Sequence, residues 1–311
     1  MFLYIFISNI VLAWMINYGE QHYPKGYAVT EEIVTEEKKD DPKPEEALST
    51  EAASTEEAST EAVVDAKTYR IVLDPGHGGN DSGVEYRSDH GKVSESKINF
   101  IIASYLKKYL EEYDNVEVLM TRNKDKWMYL DERVEFAAEH DADFLISLHN
   151  NSMEDAGGYA AGCSVCVALG NYQEKIGKAS QLIGVNIAHE LEELGLKNNG
   201  LVMKASKDND YDNGRAADYF AIIRGAMEES ISAVIVEHGF LDNPDDFYDF
   251  LSTKAQLKKI ALADCRGIAR YLQLQKSDTK EVLPELSNYK IKISHTKRSG
   301  YTRRFSKVFY H

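Results

Sequence analysis

Two histidines and two glutamates stand where an α/β protein would carry out chemistry. His77 lies in IVLDPGHGGNDSG (71–83), where an apolar run passes straight into a turn built from Pro75, several glycines and the histidine. His149 follows the apolar run of FLISLHNNS, and Glu237 ends that of SAVIVEHGF. Open α/β sheets collect their ligands at the carboxyl ends of strands, so all three fall on the expected edge. Glu95 comes from a different element, the start of the helix that follows the Gly-rich turn. Ser94 before it is a suitable N-cap, and the helix dipole favours a carboxylate in the first turn. Two imidazoles and one carboxylate with a fourth position open form the donor set of a catalytic zinc, whereas a structural zinc usually closes with four protein ligands, mostly Cys. Glu237 stands apart from that set. A carboxylate closing four apolar residues is costly to bury without a partner or a role.

Each residue alone has an ordinary reading. A histidine after a strand commonly hydrogen-bonds its own turn, and a glutamate at a helix start commonly serves only the dipole. Asp74 suits a cap for the turn before Pro75 and Gly76. It is the combination that points to a metal.

The elements that must position these residues follow from periodicity. YRIVL (69–73), VEVLM (116–120), DFLISL (143–148), CSVCVAL (163–169) and SAVIVE (232–237) are β-branched runs without full polar alternation, as in strands buried on both faces of a largely parallel sheet. Between them Ile98, Ile101, Ile102, Tyr105, Leu106 and Tyr109 recur at helical spacing. So do Ile176, Ala179, Ile183, Ile187 and Leu191, and later Leu257, Ile260, Ala261, Cys265, Ile268, Tyr271 and Leu272. Alternating strands and helices imply a three-layer α/β sandwich.

The 311 residues divide into four segments. Residues 1–18 carry no charged side chain and read as an export or anchoring segment, either a truncated start or an uncleaved anchor, with a buried helix as the alternative. Residues 19–67 form an acidic, low-complexity linker; 30 to 67 hold 13 acidic and 4 basic side chains, too polar to bury a core and extended by their own repulsion. The globular pattern spans 68–275. Residues 276–311, with 3 acidic and 9 basic side chains and no convincing period, are expected to be a disordered basic tail. A net charge of −15 argues against a nucleic-acid partner, which needs a basic surface. The three cysteines read as core thiols, because Cys163 and Cys166, three apart on a strand, face opposite ways.

Taken in order, DPGHGG, a Glu opening the next helix, MTRNKD, a helix bearing ERVEFAA, ADFLISLHNN and VIVEHGFLDN resemble the zinc-dependent type 3 N-acetylmuramoyl-L-alanine amidases, over about 205 residues from 69 to 275. The resemblance implies a twisted, mostly parallel sheet of about six strands flanked by helices. It makes His77, Glu95 and His149 the Zn2+ ligands and Glu237 the catalytic carboxylate. It implies hydrolysis of the amide between N-acetylmuramic acid and L-alanine in peptidoglycan, at the cell surface or in the wall, tethered or secreted. Asn150, Asn151 and Arg224 are expected to contact substrate, with a surface or fold-stabilising ion pair as the alternative for Arg224. A zinc hydrolase acting on another amide and a catalytically dead wall-binding module are the competing functions.

Some features depart from the family pattern. GCSVCVALG lacks the Glu and aromatic run that often follows the third ligand. His238 replaces a common apolar residue and either adds a ligand or, by strand alternation, points away from the metal. Asp208, Asp210 and Asp212 alternate before Gly214, but Asn213 and Tyr219 break an EF-hand, and HELEE (189–193) ends in Glu193, not the histidine of H-E-x-x-H. The roughly 30 residues from Gly200 to the last strand read as loop, short strand and loop, too little for a helix that plugs the site. No obligate protein partner is expected.

Overall fold

The β-branched runs form five adjacent strands of one sheet. The computed structural model describes residues 67–89, 91–297 and 300–303; the apolar segment 1–18 and almost all of the acidic linker lie outside the described residues. Strands β1 (Tyr69–Pro75), β4 (Val116–Met120), β5 (Phe144–Asn151) and β9 (Ser232–Phe240) run parallel in the order β9-β5-β1-β4. β6 (Cys163–Val167) joins β9 antiparallel and carries β7 (Asn198–Asp210) parallel on its other side. These six strands, mostly parallel with one antiparallel seam, belong to a sheet of nine among the described residues, larger than the expected six or so.

Helices cover both faces, and the strand side chains alternate between two cores. Ile71, Leu73, Ile146, Leu148, Val165, Val234 and Val236 face α1 (Glu95–Leu110), α3 (Glu174–Glu193) and α6 (Lys254–Leu272). Val72, Leu145, Cys166, Ala233 and Ile235 face α2 (Leu130–Glu139) and α4 (Ala221–Glu228). Period-two alternation between two apolar layers is what made these runs read as continuous. Cys163 and Cys166 fall in opposite cores, and all three thiols are buried and free. Among the described residues no helix is long and apolar enough to cross a membrane.

Three regions differ from expectation. β2 (Glu85–Ser88) and β3 (Gly91–Ser94) form a small hairpin between the Gly-rich turn and α1. The stretch taken as loop, short strand and loop contains a long β7, a return strand β8 (Ala216–Asp218) and helix α4, which buries Ile222, Ile223, Ala226 and Met227. Tyr211 closes that hairpin by donating to Asp218 Oδ2 at 2.7 Å.

The third correction concerns the basic tail, which is not disordered as far as it is described. Leu283, Leu286 and Ile291 are buried in the α1/α3/α6 core, and β10 (Ile293–Lys297) pairs parallel with β7 before turning into β11 (Gly300–Arg303). Arg270 Nη1 on α6 donates to Pro284 O at 2.7 Å, and Leu201 N donates to Lys292 O at 2.8 Å. Isolated apolar residues plugging gaps, joined by backbone pairing at a sheet edge, leave no periodic signal to read. The folded region therefore extends beyond residue 275. After the short turn α5 (Pro244–Asp246), a π-helical turn (Phe247–Leu251) leads into α6, whose N-cap Thr253 accepts from Gln256 N.

Candidate active site

The turn after β1 is held from beneath by two arginines. Asp74 is buried and accepts from Thr121 Oγ1 at 2.7 Å, Ser147 Oγ at 2.8 Å and Arg133 Nη1 at 2.7 Å. Burial raises its pKa, but the Arg133 charge and these hydrogen bonds outweigh that and leave it below the ordinary value. Arg133 also donates to Pro75 O and His77 O, both at 3.0 Å, while Arg122 donates to Pro75 O, Gly76 O and Ser96 O. The arginines of MTRNKD and ERVEFAA thus fix the carbonyls that aim His77. Asp74 anchors this clamp and does not merely cap a turn.

His77 itself adopts φ +61°, in the left-handed region, which turns its ring back over the sheet edge. Its Nδ1 faces Asp81 Oδ2 at 2.9 Å, and its Nε2 faces Glu95 Oε2 at 3.1 Å. Asp81, inside GHGGNDSG, has nothing in its type or spacing that sets it apart from other turn residues. It selects the tautomer that leaves Nε2 as the donor atom. Burial lowers the His77 pKa, but Glu95 and Asp81 win and raise it to about 9.

Glu95 opens α1 as expected, though the cap works differently. Ser94 has extended backbone at the N-cap but makes no side-chain cap bond. Instead Glu95 N donates to Val84 O at 2.8 Å and Ser96 N to Ser82 O at 3.0 Å, so the helix start is tied to the loop that carries His77. The buried carboxylate bridges the two histidines, with Oε1 at 3.0 Å from His149 Nδ1. It also accepts from Asn150 N and Val84 N, both at 3.0 Å, and from Asn99 Nδ2 at 3.2 Å. Burial raises its pKa, and the bonds and charges of His149 and His77 bring it far below the ordinary carboxylate range. Two glycines permit this crowding. A Cβ on Gly76 would lie 2.2 Å from the His149 ring, and one on Gly83 would lie 2.4 Å from Glu95 Oε2.

His149 and Glu237 are register partners on β5 and β9. Alternation points both away from the α1/α6 core and sends their neighbours Asn150 and His238 into it. Among the described residues His77, Glu95 and His149 are the one acidic or imidazole group whose donor atoms, all within 4.8 Å of one another, could hold a metal ion. Glu237 is half-buried, and its Oε2 has no hydrogen-bond partner, so burial raises its pKa. The donor chemistry fits a zinc. Two neutral-capable imidazoles and a desolvated carboxylate surround one point, and a second carboxylate beside them has nothing else to bind.

These residues line an open groove of about 530 Å³ with Asn151, Ser152, Glu154, Asp155 and Asp242. Asn151 is where a substrate contact was expected. Asn150 lines the groove through its backbone, but its side chain is buried and donates from Nδ2 to Asn99 Oδ1 at 2.8 Å, supporting Glu95 from behind. Arg224 is not brought to the groove. Its Nη1 donates to Asp218 O at 2.9 Å, and it lines a separate cleft of about 320 Å³ with Asp131, Glu135 and Glu228. His238 is fully buried, with Nδ1 donating to His149 O at 3.0 Å and Nε2 to Asp264 Oδ2 at 2.9 Å. Both ring nitrogens face acceptors, the geometry of an imidazolium. Burial lowers its pKa, but Asp264 outweighs that and raises it. His189 stays on α3 with its ring 4.7 Å from that of Tyr289.

A profile of the N-acetylmuramoyl-L-alanine amidase family matches residues 71–270. The chain is 29% identical over 210 residues to the N-acetylmuramoyl-L-alanine amidase CwlM of Bacillus licheniformis, covering 67% of this chain and 70% of that protein. The structure of the N-acetylmuramoyl-L-alanine amidase AmiC2 of Nostoc punctiforme superposes with a TM-score of 0.52 at 26% identity, over 66% of this chain and 97% of the other. That of an N-acetylmuramoyl-L-alanine amidase from Clostridium difficile 630 superposes with 0.52 at 24% identity, over 70% and 100%, and supports the shared fold. The chain belongs to the N-acetylmuramoyl-L-alanine amidase family and is a hydrolase of an amide bond.

Proposed function

We propose that this chain hydrolyses the amide joining N-acetylmuramic acid to L-alanine in peptidoglycan, with one zinc ion held by His77, Glu95 and His149 and with Glu237 moving the protons. The observation that carries this reading is Glu237, whose buried Oε2 has no hydrogen-bond partner in the protein, as register partner of His149 and lining the same groove as three donor atoms within 4.8 Å. Zinc bound there supplies Lewis acidity, polarising an amide carbonyl and acidifying water at neutral pH. Glu237 accepts the proton of the attacking water and delivers it to the leaving nitrogen of L-alanine, and its raised pKa suits both halves of that task. Asp81 orients the His77 imidazole, the Arg122 and Arg133 clamp fixes the turn, and Asn151 faces the substrate.

Action at the cell surface fits this substrate, with the acidic linker as a spacer. No groove-lining residue comes from 198–231, the stretch in which a plugging helix would be inserted, which supports activity without a protein activator. The test incubates the purified, zinc-loaded full chain with sacculi. New L-alanine amino termini on intact glycan are expected. New reducing sugars, released acetate or no product would each refute the reading, and dependence on an added protein would refute its constitutive part.

A further inference from the structure

The loop between β4 and α2 clamps the His77 turn from beneath, and it also carries an exposed apolar surface. Seven large apolar side chains are exposed among the described residues, and three of them, Trp127, Tyr129 and Leu130, fall together here. Met128 between them is buried, so the chain turns one side chain inward and puts its aromatic neighbours outward. The Trp127 and Tyr129 rings meet edge to face, with centroids 4.0 Å apart. Leu130 faces the Arg224 cleft, whereas Trp127 and Tyr129 line neither that cleft nor the groove and form an exposed patch of their own.

The backbone ties this loop to the turn that carries His77. A Cβ on Gly78 would lie 2.3 Å from Lys126 O, and one on Gly79 would lie 2.6 Å from Trp127 N. Gly79 N donates to Asp125 Oδ1 at 2.7 Å, and Tyr129 N donates to Glu132 Oε2 at 2.9 Å. Trp127 is therefore laid, through its backbone and Cβ, against Gly79, two residues after His77. The groove itself contains no aromatic ring other than the two imidazoles, and carboxylates of Glu85, Glu154, Asp155 and Asp242 line it.

On the reading above, the scissile amide has an uncharged sugar on one side and a peptide on the other. A pyranose presents a flat face of C–H groups, which matches the face of an indole and finds no counterpart in a carboxylate lining. We propose that Trp127, braced by the edge of Tyr129, is a platform on which a sugar ring of the glycan strand stacks, so that the glycan leaves the groove over the β4–α2 loop and the stem peptide over the carboxylates. This inference rests on the proposed substrate and adds its orientation.

Glycan strands stripped of peptide, titrated into the zinc-loaded full chain by calorimetry, test it directly. Trp127→Ala should weaken their binding about tenfold, the size of one lost aromatic contact; Trp127→Phe should restore most of it. Tyr219→Ala, which alters an exposed ring packed under Lys204, should leave binding unchanged. In hydrolysis, the rise in KM for Trp127→Ala should be about tenfold larger on glycan-linked stem peptide than on a sugar-free lactoyl peptide. Wild-type binding and KM in a folded Trp127→Ala protein would overturn the platform while leaving the amidase reading intact. Trp127-dependent glycan binding without hydrolysis by the wild type would sink the amidase reading and keep the platform. Dimerisation lost in Trp127→Ala with glycan binding unchanged would give the patch to a second copy of the chain and overturn the inference.

Discussion

Glu237 and His238 are neighbours on one strand, and they divide the molecule into two regions with opposite electrostatics. On the groove side, Glu237 ends in an oxygen without a partner, next to histidines and a carboxylate whose donor atoms crowd one point. On the core side, His238 is wholly buried, with both nitrogens satisfied by His149 O and Asp264. The same residue types thus do different work a single residue apart. At the groove the unpaired oxygen belongs to a carboxylate beside the three donor atoms, whereas in the core the unpaired Asp264 Oδ1 belongs to a carboxylate already engaged through Oδ2 by an imidazole whose two nitrogens are both used.

The comparison breaks most readily at its reactive end. Glu237→Gln should cut kcat by about 10²- to 10⁴-fold, the range for losing a general acid–base group, with zinc content unchanged. Near-normal turnover would remove the carboxylate from its role. At the other end, His238→Ala leaves Asp264 buried without its partner and should cost about 3–5 kcal/mol of stability, read from urea denaturation. An unchanged midpoint would mean that the pair holds nothing.

Asn150 and Asn151 sharpen the same contrast at smaller scale. Asn150→Ala removes the prop behind Asn99 and Glu95 and should weaken zinc binding about tenfold, as measured by competition with a chelator. Asn151→Ala should act on KM instead, and a reversed pattern would exchange their roles.

Acid stability probes the clamp below the turn. The Asp74 pKa is depressed on folding, so its contribution is full above the ordinary value of 3.8 and is lost as pH falls through the folded value. Asp74→Asn should therefore be less stable than wild type at neutral pH, with the difference shrinking below about pH 4. A constant difference down to pH 2 would contradict this assignment. The smallest effect belongs to Arg224→Ala. Its guanidinium serves carbonyls of the β8–α4 junction, so turnover should be unaltered and stability should move by no more than about 1 kcal/mol.

Much of this was legible in the chain. β-branched runs flanked by 3.6-periodic segments located the strands and the main helices, because burial on two faces leaves a continuous apolar signature. His77, His149 and Glu237 could be placed because strand ends are marked by where such runs stop. Alternation also separates neighbours: counting one residue on from His149 sends Asn150 into the core, as it sends His238 there from Glu237. Other residues left no local sign. Asp74, Arg122 and Arg133 act through contacts up to 73 positions apart in sequence, and the partners of the two arginines are mostly backbone carbonyls that any residue would supply. The packing of Leu283, Leu286 and Ile291 escaped notice for a related reason, since single apolar residues filling gaps have no period.

The central claim is that one metal, held by His77, Glu95 and His149, is what makes the groove hydrolytic. Titrating zinc into the metal-stripped full chain, while following both bound metal and amide hydrolysis, tests it most directly. Activity should rise in step with the first equivalent and saturate there, and Glu95→Gln should bind that equivalent far more weakly. Full hydrolysis by protein shown to contain no metal, or undiminished zinc affinity in Glu95→Gln, would contradict the account.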